Sequence, residues 1–369
     1  MSTLLKRPLQ ISGSLWAALR LHTQTPAARL SYPKRLVPYW ATFFLIAFGL
    51  GYPTLNRYDA RTTDLDVIYY YKVVVGQPAS PDDLPFCVRV LVPGLARPFY
   101  HLTAGRLGSW NPVYFGLLVS NSIFTATTAL LLLLIARRLA FSQSIAWLAC
   151  TLFLLNFAVA NFWLSGLVDS SEACLLLGVA CCLFADLWWP LPLIGVLCAM
   201  AKQSTLPFAI VFAAVWWLAT SRSGRKPAQL IAIAGMLLAG TVTLVLVYRF
   251  VEGAYLPPWT MAGGYNDGSF LSYLNNIKRL LVELRFWYPF VWLLPLGIWR
   301  LRILPRRWVL ATLATTSFAL LMAVLSHLGG TANRPVFNVI GPLLSLSAAL
   351  FVSNAEENHP ALGSAASAS

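Results

Sequence analysis

The chain has 369 residues, 58% of them hydrophobic and only 11% charged, whereas soluble domains run about 45–50% apolar and about 25% charged. That balance excludes a soluble globular protein. A formal net charge of +14 would suggest a nucleic-acid partner in a soluble protein, so the basic residues must first be placed relative to a membrane.

Residues 1–36 carry Lys6, Arg7, Arg20, Arg29, Lys34 and Arg35 without an uninterrupted apolar core, and read as a retained cytoplasmic tail rather than a cleaved signal peptide. Apolar runs then recur from Val37 to Val352 with no long polar linker. A membrane-crossing helix needs about 20 mostly apolar residues, which places spans near 37–55, 112–135, 144–162, 167–186, 228–249, 286–304, 308–326 and 336–353. Leu191–Ala201 is too short to cross alone, and Ala201-Lys202-Gln203-Ser204 separates it from Thr205–Thr220. This spacing predicts a hairpin of two short or broken helices with Lys202 at its polar apex. The fold class is therefore all-α integral membrane, a polytopic bundle of about ten transmembrane segments over 37–353, with 354–369 a disordered cytoplasmic tail.

Lys and Arg near span ends mark the cytoplasmic side. With this segment count, Arg137, Arg138, Arg222, Arg225, Lys226, Arg300, Arg302, Arg306 and Arg307 fall on the side of the N-terminal tail, where the acids are only Asp186, Glu356 and Glu357. Both termini then face the cytoplasm, and the basic excess is membrane anchoring with no nucleic acid required. Of the six cysteines only Cys87 falls in a long polar loop, and neither a disulfide framework nor a CxxC metal spacing is present.

Two long outer segments remain, 56–111 and 250–285. The first holds Asp59, Asp64, Asp66, Asp82 and Asp83. Asp64-Leu65-Asp66 precedes Val67-Ile68-Tyr69-Tyr70-Tyr71 and a run ending at Gly76, the pattern of an interfacial helix capped by Thr63 or Asp64. Phe86–Arg97 is an apolar stretch with two arginines, Arg89 and Arg97, suited to the headgroup region. A carboxylate there can take a hydroxyl proton as general base, while Arg or Lys stabilises a leaving phosphate. That chemistry is transfer of a group from a lipid phosphate to an acceptor hydroxyl. Helix capping and a solvated face are the plainer roles for Asp64 and Asp66, and Asp82-Asp83 between prolines suits a turn.

In these motifs the chain resembles the GT-C superfamily of integral-membrane glycosyltransferases. The resemblance rests on Asp64-Leu65-Asp66, Tyr69, Tyr70 and Gly76, then Pro85-Phe86 and Arg89-Val90-Leu91-Val92-Pro93. It continues in Ala201-Lys202-Gln203-Ser204-Thr205 and ends in Arg334-Pro335-Val336-Phe337-Asn338-Val339-Ile340-Gly341-Pro342. It implies a sugar moved from a polyprenyl-phosphate donor to a lipid, glycan or protein acceptor at the outer face of a bacterial inner or plasma membrane, with inversion. It further implies a base among Asp59, Asp64 and Asp66, the spacing fitting Asp64 best and Asp66 second. No Asp-Glu pair stands at the end of the first span, where the family would have one.

Charges at membrane depth complete the candidate set. Asp169 and Glu172 open the fourth span at i and i+3, on one helix face, and ionisable residues there are functional candidates. They would cap the helix, shape the acceptor side or neutralise an arginine. Lys202 is a snorkelling lysine or, with Arg89 and Arg334, a contact to the donor's phosphate; Arg334 stands just before the last span, on the side that the charge bias disfavours. Asp59, Tyr69 and His327 are further substrate-side candidates. Phe270–Phe286, bearing Lys278, Arg279 and Arg285, reads as an amphipathic helix that could face anionic headgroups. The residues call for no cofactor, and a divalent metal is left open. A secondary transporter or lipid flippase would carry paired broken helices in both halves, and an O-antigen ligase-like transferase would place its larger outer loop late. The sequence offers one broken hairpin and an early large loop.

Overall fold

A computed structural model describes residues 33–55, 65–78, 86–108, 110–221, 224–253, 269–325 and 332–353, with Pro38–Ser353 forming a compact unit. Among the described residues the secondary structure is helical, with no strand. In chain order the helices are α1 (Pro33–Leu55), α2 (Leu65–Val75), α3 (Leu91–Thr103), α4 (Pro112–Arg138), α5 (Gln143–Leu154), α6 (Asp169–Phe184), α7 (Leu191–Ala201), α8 (Thr205–Leu218) and α9 (Pro227–Glu252). They continue as α10 (Phe270–Val282), α11 (Leu284–Trp287), α12 (Leu293–Ile298), α13 (Arg306–Leu325) and α14 (Asn333–Val352).

Five of these, α1, α4, α9, α13 and α14, are long and apolar enough to cross a membrane, and they mark the chain as an α-helical membrane protein. α14 is the innermost, buried over nearly its whole length, polar Asn338, Ser345 and Ser347 included. α4 is buried over most of its length, whereas α1 and α9 expose apolar residues such as Leu45, Ile231 and Leu238. A helix apolar all round belongs inside a bundle or against lipid, and these helices divide between the two.

Apolar content alone misjudges continuity in two segments. The 144–162 run is not one helix: α5 ends at Leu154, and a π-helical turn follows at Val159–Trp163. Asn156 directs the break, accepting from the Ala158 amide at 2.9 Å while its own amide donates to the Pro289 carbonyl at 2.8 Å. The 286–304 run is also broken, into α11, α12 and a 3-10 turn at Leu301–Ile303. Pro289 has no N–H to offer the Arg285 carbonyl four residues earlier, and Asn333 Nδ2 donates to that carbonyl instead, at 2.8 Å.

The hairpin expected around Lys202 is present. α7 and α8 are joined by three residues, and α7 lies directly on α9. A Cβ on Gly195 would stand 2.4 Å from the Met236 carbonyl oxygen, so only glycine lets the two backbones meet there. α2, expected as an interfacial helix, ends at Gly76 with φ +76°, a left-handed residue of the kind that terminates helices. α3 packs on α4 through Val92, Pro93 and Ala96, with Gly116 of α4 admitting the Ala96 backbone. Its buried face therefore meets protein, and Pro98 and Leu102 remain exposed. Cys87 is buried beside Val88, Ala199, Leu244 and Tyr248, which corrects its placement in an open polar loop: the loop folds onto the hairpin and α9.

Candidate active site

Five separated stretches converge at one end of the bundle: α2, the turn before α3, the start of α6, the α7–α8 apex and the start of α14.

Lys202 is the residue that ends α7. Its ammonium donates to Asp169 Oδ1 at 2.9 Å and to Glu172 Oε2 at 3.4 Å. Both carboxylates stand in the first turn of α6, where the helix dipole favours negative charge, and both side chains are buried. Glu172 is the more completely enclosed. Its Oε1 accepts from Ser204 Oγ at 2.8 Å and Thr205 Oγ1 at 3.4 Å, and its Oε2 also accepts from Asn338 Nδ2 at 2.7 Å. Asn338 Oδ1 accepts in turn from Trp163 Nε1 at 3.0 Å. A buried carboxylate is tolerable only when paired and hydrogen-bonded in this way, and here one carboxylate ties α6, α8 and α14 together.

The second group is nearer the surface. Arg334, in the first turn of α14, donates from Nη1 to Asp66 Oδ2 at 3.3 Å and lies over the Phe162 ring, 5.2 Å from its centre. Asp66, in the first turn of α2, is 26% exposed and Arg334 17%, so this pair opens toward the surface while Glu172 does not. Arg89 joins the two groups. Its Nη1 donates to Tyr70 Oη at 2.8 Å and its Nε to Gln203 Oε1 at 3.2 Å, and Gln203 Nε2 donates to Tyr248 Oη at 3.3 Å. The Arg89 guanidinium stacks on Phe86, which also meets the Tyr69 ring, parallel at 4.7 Å between centres, and the Tyr70 ring edge-on at 6.3 Å. Burial pushes the Tyr70 phenol above its ordinary range, so Tyr70 keeps its proton while accepting from Arg89. Asp169 feels Lys202, Arg334 and Arg89 together, which makes the ensemble one electrostatic unit.

Of the residues expected from sequence, Asp66, Tyr69, Arg89, Asp169, Glu172, Lys202 and Arg334 thus come together, while Asp59, Asp64 and His327 lie outside the described residues. Lys202, expected to contact a phosphate, has its ammonium held by two carboxylates. Asp169 and Glu172 neutralise that lysine, where an arginine was one expectation. Asn338, Trp163, Gln203 and Tyr248 were not anticipated as site residues. Asn338 had one signal, an amide inside an apolar span four residues after Arg334. Trp163 and Tyr248 had none, being aromatic residues among many. Among the described residues, no group of three or more His, Cys, Asp and Glu side chains is placed to hold a metal ion.

No family model matches the chain, and neither a curated protein nor a solved structure matches it.

Proposed function

We propose that the protein is a membrane glycosyltransferase of the GT-C kind, moving a sugar from a polyprenyl-phosphate donor to a lipid, glycan or protein acceptor at the outer face. The observation that carries this reading is the Asp66–Arg334 pair, a carboxylate and a guanidinium side by side on two helix N-termini at one end of the bundle. The acceptor hydroxyl gives its proton to the carboxylate of Asp66, or of Asp64 two residues earlier, and its oxygen attacks the anomeric carbon. The bond from that carbon to the phosphate oxygen breaks, the electron pair leaves with the polyprenyl phosphate, and Arg334 stabilises the charge formed there. Attack opposite the leaving group inverts the sugar. Lys202 organises the donor pocket from beneath through Asp169 and Glu172, and Arg89 holds the first outer loop over it.

The topology belongs to the same reading: about ten segments, counting short and broken helices as crossings, both termini cytoplasmic and the cluster outside.

The test is reconstitution in liposomes with a panel of polyprenyl-phosphate sugars. Sugar should leave the carrier. Asp66→Asn or Asp64→Asn should lower turnover by roughly 100-fold to 10,000-fold, the range a general base supplies. Wild type releasing no sugar from any donor would overturn the reading. A flippase is the second reading, favoured by the breaks at Asn156 and at 288–292, which add two interrupted segments to the α7–α8 hairpin. In the same liposomes it would move the lipid-linked sugar across the bilayer with its phosphate bond intact.

A further inference from the structure

α10 turns one face to the protein and leaves the others exposed. Asn276 and Leu280 are buried against the protein, and Asn276 Nδ2 donates to the Val324 carbonyl at 2.9 Å. Phe270, Leu274, Ile277 and Leu281, at spacings of four, three and four, form an exposed apolar stripe, one face of a helix with a 3.6-residue period. Asn275, Lys278 and Arg279 are exposed beside it together with Leu271 and Val282, and Arg285 is exposed in α11, which follows.

The helix has 13 residues, about 20 Å at 1.5 Å per residue, too short to cross a hydrocarbon core of about 30 Å. One anchor on α10 and one just beyond it set its level. Asn276 bonds to Val324, next to the last residue of α13, and in α11, which follows directly, the Arg285 carbonyl is held by Asn333, the first residue of α14. α10 is thus fastened where one span-length helix ends and another begins, which is the level of the membrane surface. There, an apolar stripe beside cations has acyl chains on one side and headgroups on the other.

We propose that α10 is an interfacial arm docked on anionic lipid headgroups, with Phe270, Leu274, Ile277 and Leu281 in the acyl region and Lys278, Arg279 and Arg285 on lipid phosphates. The segment that follows the arm, α11, bonds through its Arg285 carbonyl to Asn333, the neighbour of Arg334. The docking holds whether the cluster transfers a sugar or not.

The experiment uses the full chain with Cys181 and Cys182 replaced by alanine, reconstituted in phosphatidylcholine with and without phosphatidylglycerol. Nitroxide labels at Leu274→Cys and Ile277→Cys should relax with oxygen in the hydrocarbon, and labels at Asn275→Cys and Arg279→Cys with a water-soluble agent. In a parallel measurement, protein extracted from mixed vesicles should retain phosphatidylglycerol in preference to phosphatidylcholine. The K278Q/R279Q/R285Q variant should lose that preference by roughly tenfold or more, since each cation near an anionic surface contributes about fivefold. The single variants K278Q and R279Q should each show a partial loss. Labels at Leu274 and Ile277 that face water would overturn the docking, and equal retention of the two lipids by wild type, or an unchanged preference in the triple variant, would overturn the headgroup selectivity.

Discussion

Glu172 has no exposed surface and accepts from Lys202, Ser204, Thr205 and Asn338. Without Glu172, Lys202 keeps only Asp169 and Ser204, Thr205 and Asn338 lose this acceptor, and removing one member of a buried ionic set costs about 3–5 kcal/mol. Glu172→Ala should therefore lower thermal stability in detergent sharply. Glu172→Gln keeps the shape and one acceptor oxygen, and should fall between the two. If the alanine variant melted with wild type, Glu172 would not be the tie between α6, α8 and α14. Tyr70 supplies the pH dependence. Its pKa is higher in the folded chain than in the unfolded one because burial disfavours the phenolate. A group that holds its proton more tightly when folded contributes stability below its unfolded pKa, near 10, and loses it as pH rises. Stability should hold level through neutrality and decline above about pH 10, and Tyr70→Phe should flatten that decline in a melting series against pH. Which acids to single out was legible from their scarcity, because a charge inside an apolar chain is costly and needs a reason. Which partner each acid takes was not, since Lys202 lies 33 residues from Asp169 and Asp66 lies 268 from Arg334.

At the scale of elements, glycine contacts give a paired prediction. Gly195→Ala would drive a methyl into the Met236 backbone and should cost about 1–3 kcal/mol, the usual penalty of overpacking. Gly178 lies within α6 with nothing inside 4 Å of a built Cβ, so Gly178→Ala should gain about 0.5–1 kcal/mol from the helix interior. Thermal unfolding of both variants in one detergent checks the opposite signs. The α7–α8 hairpin was visible in advance because its length and its Lys202 break are sequence properties. The interruption of 286–304 was not foreseen, although Pro289 stood in view. A proline inside a span can be accommodated when a neighbour satisfies the freed carbonyl, and here the donor, Asn333, comes from a different helix.

For the molecule as a whole, the proposed topology can be checked with thiols introduced on opposite sides. Native Cys87, Cys150, Cys174 and Cys198 are buried, so they should be nearly silent to an impermeant maleimide. Arg106→Cys, exposed between α3 and α4, should label in intact cells, and Ser144→Cys, exposed at the start of α5, should label only in inside-out vesicles. The reverse pattern would invert the orientation and move the charged cluster to the cytoplasmic side.

Composition and periodicity by themselves determined that this is a helical membrane protein, where a hairpin interrupts it and which scarce charges warrant attention, because hydropathy and charge are local properties that each stretch carries alone. Convergence of those charges was decided only by the tertiary structure. The Lys202–Asp169–Glu172–Asn338 network, the Asp66–Arg334 pair and the break at Pro289 each depend on a donor or acceptor delivered by another helix, and burial is what makes every such partner obligatory.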